Sequence, residues 1–325
     1  MRGKYLSLIP IWRIKEIMKS DKKEIGRLIA GMKSAYARNE NVMAWARDNS
    51  ARTDNTIAST LIAYDLQAGT YVKNAQTNPE YVSAWSAQLA ELLEPYVISG
   101  DRILEVGVEE ATTLAGVMKA TKCKNISAFG FDISWSRISV AKKWVKNNSV
   151  DPCLFVGDLF HIPLADNSMD VVYTSHSLEP NGGKEEDALK ELLRIARKAV
   201  VLVEPCYELA SEKAQKRMSD NGYIRNLKGV AEALGVNVVN HRLLDICINP
   251  LNPSGVLTLL KSPSIRDSII TTRWECPLTG TPLVDKGGYF YADSAGIAYP
   301  VLQGTPLLRA EHAVIASALS VGEND

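Results

Sequence analysis

The chain is short of several things, and each shortage removes a class of protein. Its five cysteines, Cys123, Cys153, Cys206, Cys247 and Cys276, form no C-x-x-C pair, and their number is odd. That excludes a disulfide framework and makes a reducing cytoplasm the expected setting. No run approaches the roughly 20 apolar residues that a spanning helix needs. The apolar start over 5–12 is short, is broken by Pro10 and runs into Arg13, so a signal peptide is not expected. Net charge is missing too, with Lys+Arg and Asp+Glu both at 37. Nothing global therefore argues for nucleic acid. No internal repeat or low-complexity tract is present. No G-x-G-x-x-G occurs, which disfavours a nicotinamide dinucleotide.

What remains is an ordinary globular chain of 325 residues, 46% hydrophobic and 23% charged. That is enough for one large domain with additions, or for two domains. Charge is uneven. Residues 1–50 carry eleven Lys/Arg against five Asp/Glu, a basic stretch that fits a solvated helix face, or else an acidic or membrane partner. Apolar spacing predicts helix over 12–48, a polar linker at 48–55, and more helix over 57–97 with breaks near Gly69 and Asn78-Pro79. Strand and helix then alternate. Strands are expected at 103–108, 126–131, 153–156, 170–173, 199–203, 236–247 and 255–260. Helices are expected at 111–121, 134–147, 184–198 and 223–234. Such alternation implies an α/β fold, a doubly wound and mostly parallel seven-stranded sheet. The last two strands are joined only by residues 249–253 and should form an antiparallel edge hairpin. A boundary is expected at 261–264, then a small β module with a terminal helix at 310–320. The expected division is a helical extension over 1–55, the sheet domain over 56–262 and the module over 263–325.

In such a sheet, ligands bind beyond the carboxyl ends of the strands. Three successive strands end in an acid or just precede one: Glu105, Asp132 and Asp158, twenty-seven and twenty-six residues apart. Asp132 can accept two ribose hydroxyls, Asp158 an adenine amino group, and Glu105 can face a cationic cofactor. Each could also merely cap a helix, but three at equivalent positions favour a cofactor rim. Gly107 turns the first strand into a helix start whose free amides can surround a small site.

These pieces resemble class I S-adenosylmethionine-dependent methyltransferases over residues 101–260. The matching runs are Ile103-Leu-Glu-Val-Gly107, Gly130-Phe-Asp-Ile133, Val156-Gly-Asp158 and the stretch 162–172, Ile-Pro-Leu-Ala-Asp-Asn-Ser-Met-Asp-Val-Val. The last is similar to the corresponding run of small-molecule methyltransferases typified by ubiquinone-biosynthesis enzymes. The resemblance implies S-adenosyl-L-methionine as cofactor. It places Glu105, Gly107 and Val108 near its methionine end, Asp132 and Ile133 at the ribose, and Asp158 and Leu159 at the adenine. Ser175 lines the site, and Tyr71 belongs to a segment that closes over it. The family usually has three glycines in the loop; here Glu109 and Ala111 replace two. Glu109 crowds the cofactor unless its side chain turns outward, and a left-handed backbone there costs it roughly 1 kcal/mol or more.

The loop after the fourth strand, residues 174–181, faces the methyl group in this family. It lacks Asn-Pro-Pro-Tyr, which argues against amide and adenine acceptors. His176 is the candidate catalytic base, with a hydrogen-bonded structural histidine as the alternative. Glu179 fits a cap or a pairing role. His161 fits the adenine flank, and His241 and His312 fit structural roles. The segments 204–208 and 249–253 should reach the same rim. The module resembles the zinc-ribbon activators of tRNA and protein methyltransferases. Their ligand positions fall here on Cys276, Thr279, Ala292 and Ala295, so no metal is expected; Tyr289, Tyr291, Tyr299, Val301 and Leu307 would supply its core. Three readings stay open: methyl transfer to a small-molecule or carbohydrate-like acceptor, a tRNA or protein methyltransferase, or a non-catalytic binding protein. A homodimer is compatible with any of them.

Overall fold

The computed structural model describes residues 22–49, 56–247, 249–261 and 274–319. The apolar start, most of the linker and the 261–264 boundary lie outside them, apart from Asp48, Asn49 and Lys261. The chain divides into two compact units, one through Gln67 and one from Ala68 onward. The first holds α1 (Lys22–Ala37), α2 (Val42–Asp48) and α3 (Ile57–Leu66). They pack on a small core of Met32, Ala35, Val42, Ala46 and Ala63. Asn41 caps α2, and Thr56 and Ser59 form a capping box on α3, which satisfies amides that have no partner within the helix.

The second unit opens with α4 (Thr70–Thr77) and α5 (Pro79–Leu93). The expected breaks at Gly69 and Asn78-Pro79 are both present. Gly69 is left-handed, and Pro79 starts the next helix, where its missing N–H costs nothing. Next come β1 (Arg102–Val106), α6 (Thr112–Ala120), β2 (Ser127–Asp132), α7 (Trp135–Asn147), β3 (Cys153–Val156) and β4 (Met169–Ser175). They are followed by α8 (Glu185–Ile195), β5 (Ala196–Pro205), α9 (Glu212–Asp220), α10 (Leu227–Ala233), β6 (Asn237–Leu243) and β7 (Ser254–Leu260).

The seven strands lie in the order β3-β2-β1-β4-β5-β7-β6. The first five run parallel, whereas β7 is antiparallel to both β5 and β6. The expected hairpin therefore sits at one edge. Alternation along β1 sends Leu104 and Val106 to one face and Ile103 to the other. Leu104 packs with Leu189 and Leu192 of α8, and Ile103 with Leu89 of α5, Leu114 of α6 and Ile138 of α7. Burial on both faces is why the parallel strands read as near-continuous apolar runs.

Three expectations need correction. Residues 196–198 continue β5 rather than α8, because Ile195 closes the helix's apolar stripe and Ala196 pairs with Met169. Helix α9 forms where the periodicity gave none, since Ala214 and Met218 alone are buried along it. The terminal helix over 310–320 does not form. A short turn at Ala310–His312 leads into β12 (Val314–Ile315), which pairs with Ala298 and Ile297. Two β-branched side chains favour that ladder over a helix.

The module consists of β8 (Val284–Asp285), β9 (Tyr289–Ala292), β10 (Ile297–Leu302), β11 (Thr305–Pro306) and β12. Tyr299 and Tyr291 are buried in it, while Tyr289, Val301 and Leu307 are half-buried. It covers the other edge of the large sheet. Leu307 bridges Val156 in parallel, and the Leu308 amide donates to the Val156 carbonyl at 2.9 Å. Trp274 meets Phe155 edge-on, with ring centroids 5.0 Å apart. Covering an open strand edge removes a template for unwanted pairing.

Candidate cofactor and acceptor site

The site starts at the carboxyl end of β1. Glu105 is buried, and its Oε2 accepts the Tyr173 hydroxyl at 2.9 Å. Burial pushes its carboxyl up to about 8, against the lowering effect of that hydrogen bond. The loop then turns through Gly107, at φ 67°, with Glu109 and Ala111 also left-handed at 52° and 56°. Each non-glycine residue there costs about 1–2 kcal/mol. The turn is held by the Val108 amide on the Phe131 carbonyl and the Ala111 amide on the Val108 carbonyl, both at 2.8 Å. A Cβ on Gly107 would lie 2.3 Å from the Cβ of Ser177. The close approach at this glycine is thus to the loop after β4.

Asp132, buried at the end of β2, takes the Ser134 amide on Oδ1 at 2.8 Å and the Glu109 amide on Oδ2 at 3.2 Å. It ties the glycine loop to the start of α7. Burial holds its carboxyl above the usual range, although both amides and Arg137 oppose this. Ile133, half-buried, follows it. Asp158 stands two residues beyond β3, with Oδ1 accepting the Phe160 amide at 2.9 Å. Leu159 beside it is half-buried and His161 exposed. Glu105, Asp132 and Asp158 do fall at the carboxyl ends of three adjacent strands.

Glu109 turns its carboxylate to Arg137 on the first turn of α7, 3.6 Å away. Arg137 is only 2% exposed, while a third of the Glu109 side chain still reaches solvent. Partial burial raises the Glu109 carboxyl, and Arg137 and a hydrogen bond from Tyr71 pull the other way. The Arg137 guanidinium also lies 5.0 Å from the Tyr71 ring centroid. Tyr71 is therefore brought to the glycine loop.

A residue that sequence reasoning missed holds it there. Glu110, fully buried, accepts the Gly69 amide on Oε1 and the Val72 amide on Oε2, both at 2.7 Å. Gly69 offers α4 no side-chain cap, so Glu110 supplies one from across the fold. The signal was the second acid of the Glu109-Glu110 pair. Arg137 was missed too, being unremarkable within a helix.

The acceptor side lies beyond β4 and β5. Ser175 accepts from the Trp85 indole at 3.3 Å. His176, left-handed at φ 59°, has both ring nitrogens engaged. Its Nδ1 is 3.0 Å from Glu179 Oε2, and its Nε2 is 2.7 Å from Ser254 Oγ. Burial disfavours charge on the imidazole. The Glu179 hydrogen bond and the charges of Glu204, Glu179 and Glu109 outweigh it and hold the His176 pKa above its ordinary value. Glu179 pairs as expected and also accepts from Asn252 at 3.3 Å. Glu204, buried, accepts the Ser177, Leu178 and Glu179 amides at 3.1 Å each. Burial pushes it up to about 7 despite these donors. The segments 204–208 and 249–253 thus both reach the rim. A cleft of about 730 Å³, lined by Lys142, Lys146, Trp274 and Phe290 among others, lies under the module and holds none of the rim carboxylates.

Residues 104–204 match a family described as "Methyltransferase domain". This stretch is a methyltransferase domain. It spans β1 to the end of β5, the strands that carry Glu105, Asp132 and Glu204. No curated protein matches the sequence. Among solved structures, a chain of the complex between the Haloferax volcanii Trm112 methyltransferase activator and a methyltransferase is 17% identical. It covers 62% of this chain and 98% of its own, at TM-score 0.46. Magnesium protoporphyrin IX methyltransferase from Synechocystis is 14% identical, covering 74% and 100% at TM-score 0.44. Geranyl diphosphate C-methyltransferase from Streptomyces coelicolor is 9% identical, covering 54% and 80% at TM-score 0.43.

The cofactor of the domain is S-adenosyl-L-methionine. The chemistry of the rim fits it in its charged parts. Glu105 is a buried carboxyl with one hydroxyl partner, and a cation beside it would favour its ionised form. Asp132 and Asp158 follow it at the ends of the next two strands. Ser177 packs against Gly107, and the Glu109–Arg137 pair lies along the same loop.

Proposed function

We propose that the protein transfers a methyl group from S-adenosyl-L-methionine to a hydroxyl of a small or carbohydrate-like acceptor, with His176 as base. The observation that carries this reading is the Ser254 hydroxyl 2.7 Å from His176 Nε2, with Nδ1 held by Glu179. A hydroxyl already sits where an acceptor's proton would be taken, and the base is oriented by a third group. The cofactor supplies a methyl group on a sulfonium. His176 Nε2 would take the proton of the acceptor hydroxyl as it is methylated, with Nδ1 held by Glu179. Glu105, Gly107 and Val108 hold the methionine end, Asp132 and Ile133 the ribose, Asp158 and Leu159 the adenine. Ser175 and Tyr71 close the site, which is chiefly a positioning device. The ubiquinone-type motif over 162–172 supports a small acceptor, and the balanced net charge argues against nucleic acid. Five cysteines that form no disulfide support a reducing, cytoplasmic setting. No described helix is long and apolar enough to cross a membrane. The module supports the reading of a zinc-ribbon-like shape in its antiparallel strands. The test is release of S-adenosylhomocysteine by the full chain with a panel of hydroxylated small molecules. Turnover that is lost in His176→Asn supports the reading; equal turnover in that variant overturns it.

A second reading has its own observation. Ser177 fills the approach to Gly107, and Glu109 is locked to Arg137. A domain of this kind that binds no cofactor would serve as a binding protein, and calorimetry separates the two.

A further inference from the structure

We propose a metal site of the zinc class at Cys206, Glu208 and His241, on the antiparallel edge of the sheet. Their ligand atoms, one from each side chain, all lie within 4.8 Å of one another. The Cys206 Sγ to His241 Nε2 distance is 3.5 Å. Zinc bonds of about 2.3 Å to sulfur and 2.0–2.1 Å to nitrogen, at a tetrahedral angle, put those two atoms roughly 3.5 Å apart. One edge of the tetrahedron is thus already in place, and Glu208 needs about 1 Å of closure to complete the face.

The fold builds this meeting. Cys206 follows the end of β5 and His241 sits in β6, with β7 between them. The sulfur crosses β7 at Gly255, where a Cβ would lie 2.6 Å from the Cys206 Cβ and 3.0 Å from its sulfur. Only glycine leaves that passage open. The loop is pinned by the Cys206 amide on the Pro253 carbonyl at 2.9 Å. Burial pushes the Cys206 thiol up to about 11, and the Leu209 amide aimed at the sulfur opposes that shift. Glu208 lies in the one-turn helix Tyr207–Leu209, and its Oε1 takes the Asn226 amide, which orients the carboxylate. Such supporting hydrogen bonds are what fix metal ligands in position. Ser254 and Gly255 face opposite sides of β7, so Ser254 reaches His176 while the sulfur passes at Gly255. Three protein ligands leave a fourth position for water. The ion clamps the 205–210 turn onto the edge strand.

The test uses the full chain, stripped with a chelator and dialysed against Zn²⁺ alone. Elemental analysis should then give one zinc per chain. Zinc should be lost from Cys206→Ser and His241→Gln, with affinity down at least about 100-fold, and kept by Cys247→Ser. Cobalt loading should give a thiolate-to-cobalt charge-transfer band that Cys206→Ser lacks. Glu208 is exposed, so Glu208→Gln tests the site without risk to folding; it should weaken zinc binding about 10–100-fold. Absence of retained zinc, or zinc kept equally by Glu208→Gln and Cys206→Ser, overturns the proposal. The methyltransferase reading survives either result, since it uses none of these residues.

Discussion

Glu109 and Arg137 form an ion pair at 3.6 Å inside the loop that should cradle the cofactor. A glutamate in a left-handed position costs backbone energy, and an arginine 2% exposed needs a partner. Each residue makes the other tolerable. A double-mutant cycle checks this. Glu109→Gly alone relieves about 1–2 kcal/mol of backbone strain but removes a carboxylate from beside Arg137, a loss of up to about 3–5 kcal/mol when both partners are buried. Solvent at Glu109 reduces that loss, so the net effect should be mild destabilisation. In an Arg137→Met background the same change should stabilise. Urea midpoints that shift equally in both backgrounds would show that the pair does not couple.

Glu110 makes a separate prediction about the closing segment. Glu110→Ala leaves the Gly69 and Val72 amides without their acceptor, at about 1–3 kcal/mol each where they remain buried. Hydrogen exchange at both amides should accelerate, and Tyr71 should lose its place beside Arg137. Glu110→Gln, which keeps one carbonyl oxygen, should protect one amide only.

His176 carries a pH prediction with a definite sign. A base works in its neutral form, and this imidazole keeps its proton above the ordinary histidine range. Turnover should therefore rise with pH through a value above about 6.5. Burial lowers the pKa and the Glu179 hydrogen bond raises it. Glu179→Gln should move the rising limb to lower pH and reduce the maximum rate. A limb that stays in place would remove Glu179 from the site.

Glu204 links stability to pH. Its folded pKa of about 7 lies above the ordinary carboxyl value of 4.5. The folded state keeps a proton that the unfolded state has lost, so the contribution is full below about 4.5 and fades as pH rises through about 7. Glu105, raised to about 8, acts with the same sign. Stability should fall between these limits, and more steeply in the wild type than in Glu204→Gln. Parallel curves would show that Glu204 is ionised throughout.

The strands and the acidic rim were legible because both are local. Near-continuous apolar runs mark β1 to β5, and a glycine turn after β1 marks the loop. What escaped depends on partners far along the chain. Glu110 binds amides 41 and 38 residues upstream, and His176 meets Ser254 across 78 residues. No spacing announces such meetings. The helix expected at the end failed for the same reason, since Val314 and Ile315 are claimed by β10.

The direct measurement is isothermal titration of the full chain with S-adenosyl-L-methionine. The account predicts saturable binding at one site, weakened at least about tenfold, or about 1.4 kcal/mol, in Asp132→Asn. No binding to the folded wild type, together with binding restored in Glu109→Gly, would contradict it and leave the loop as a relic.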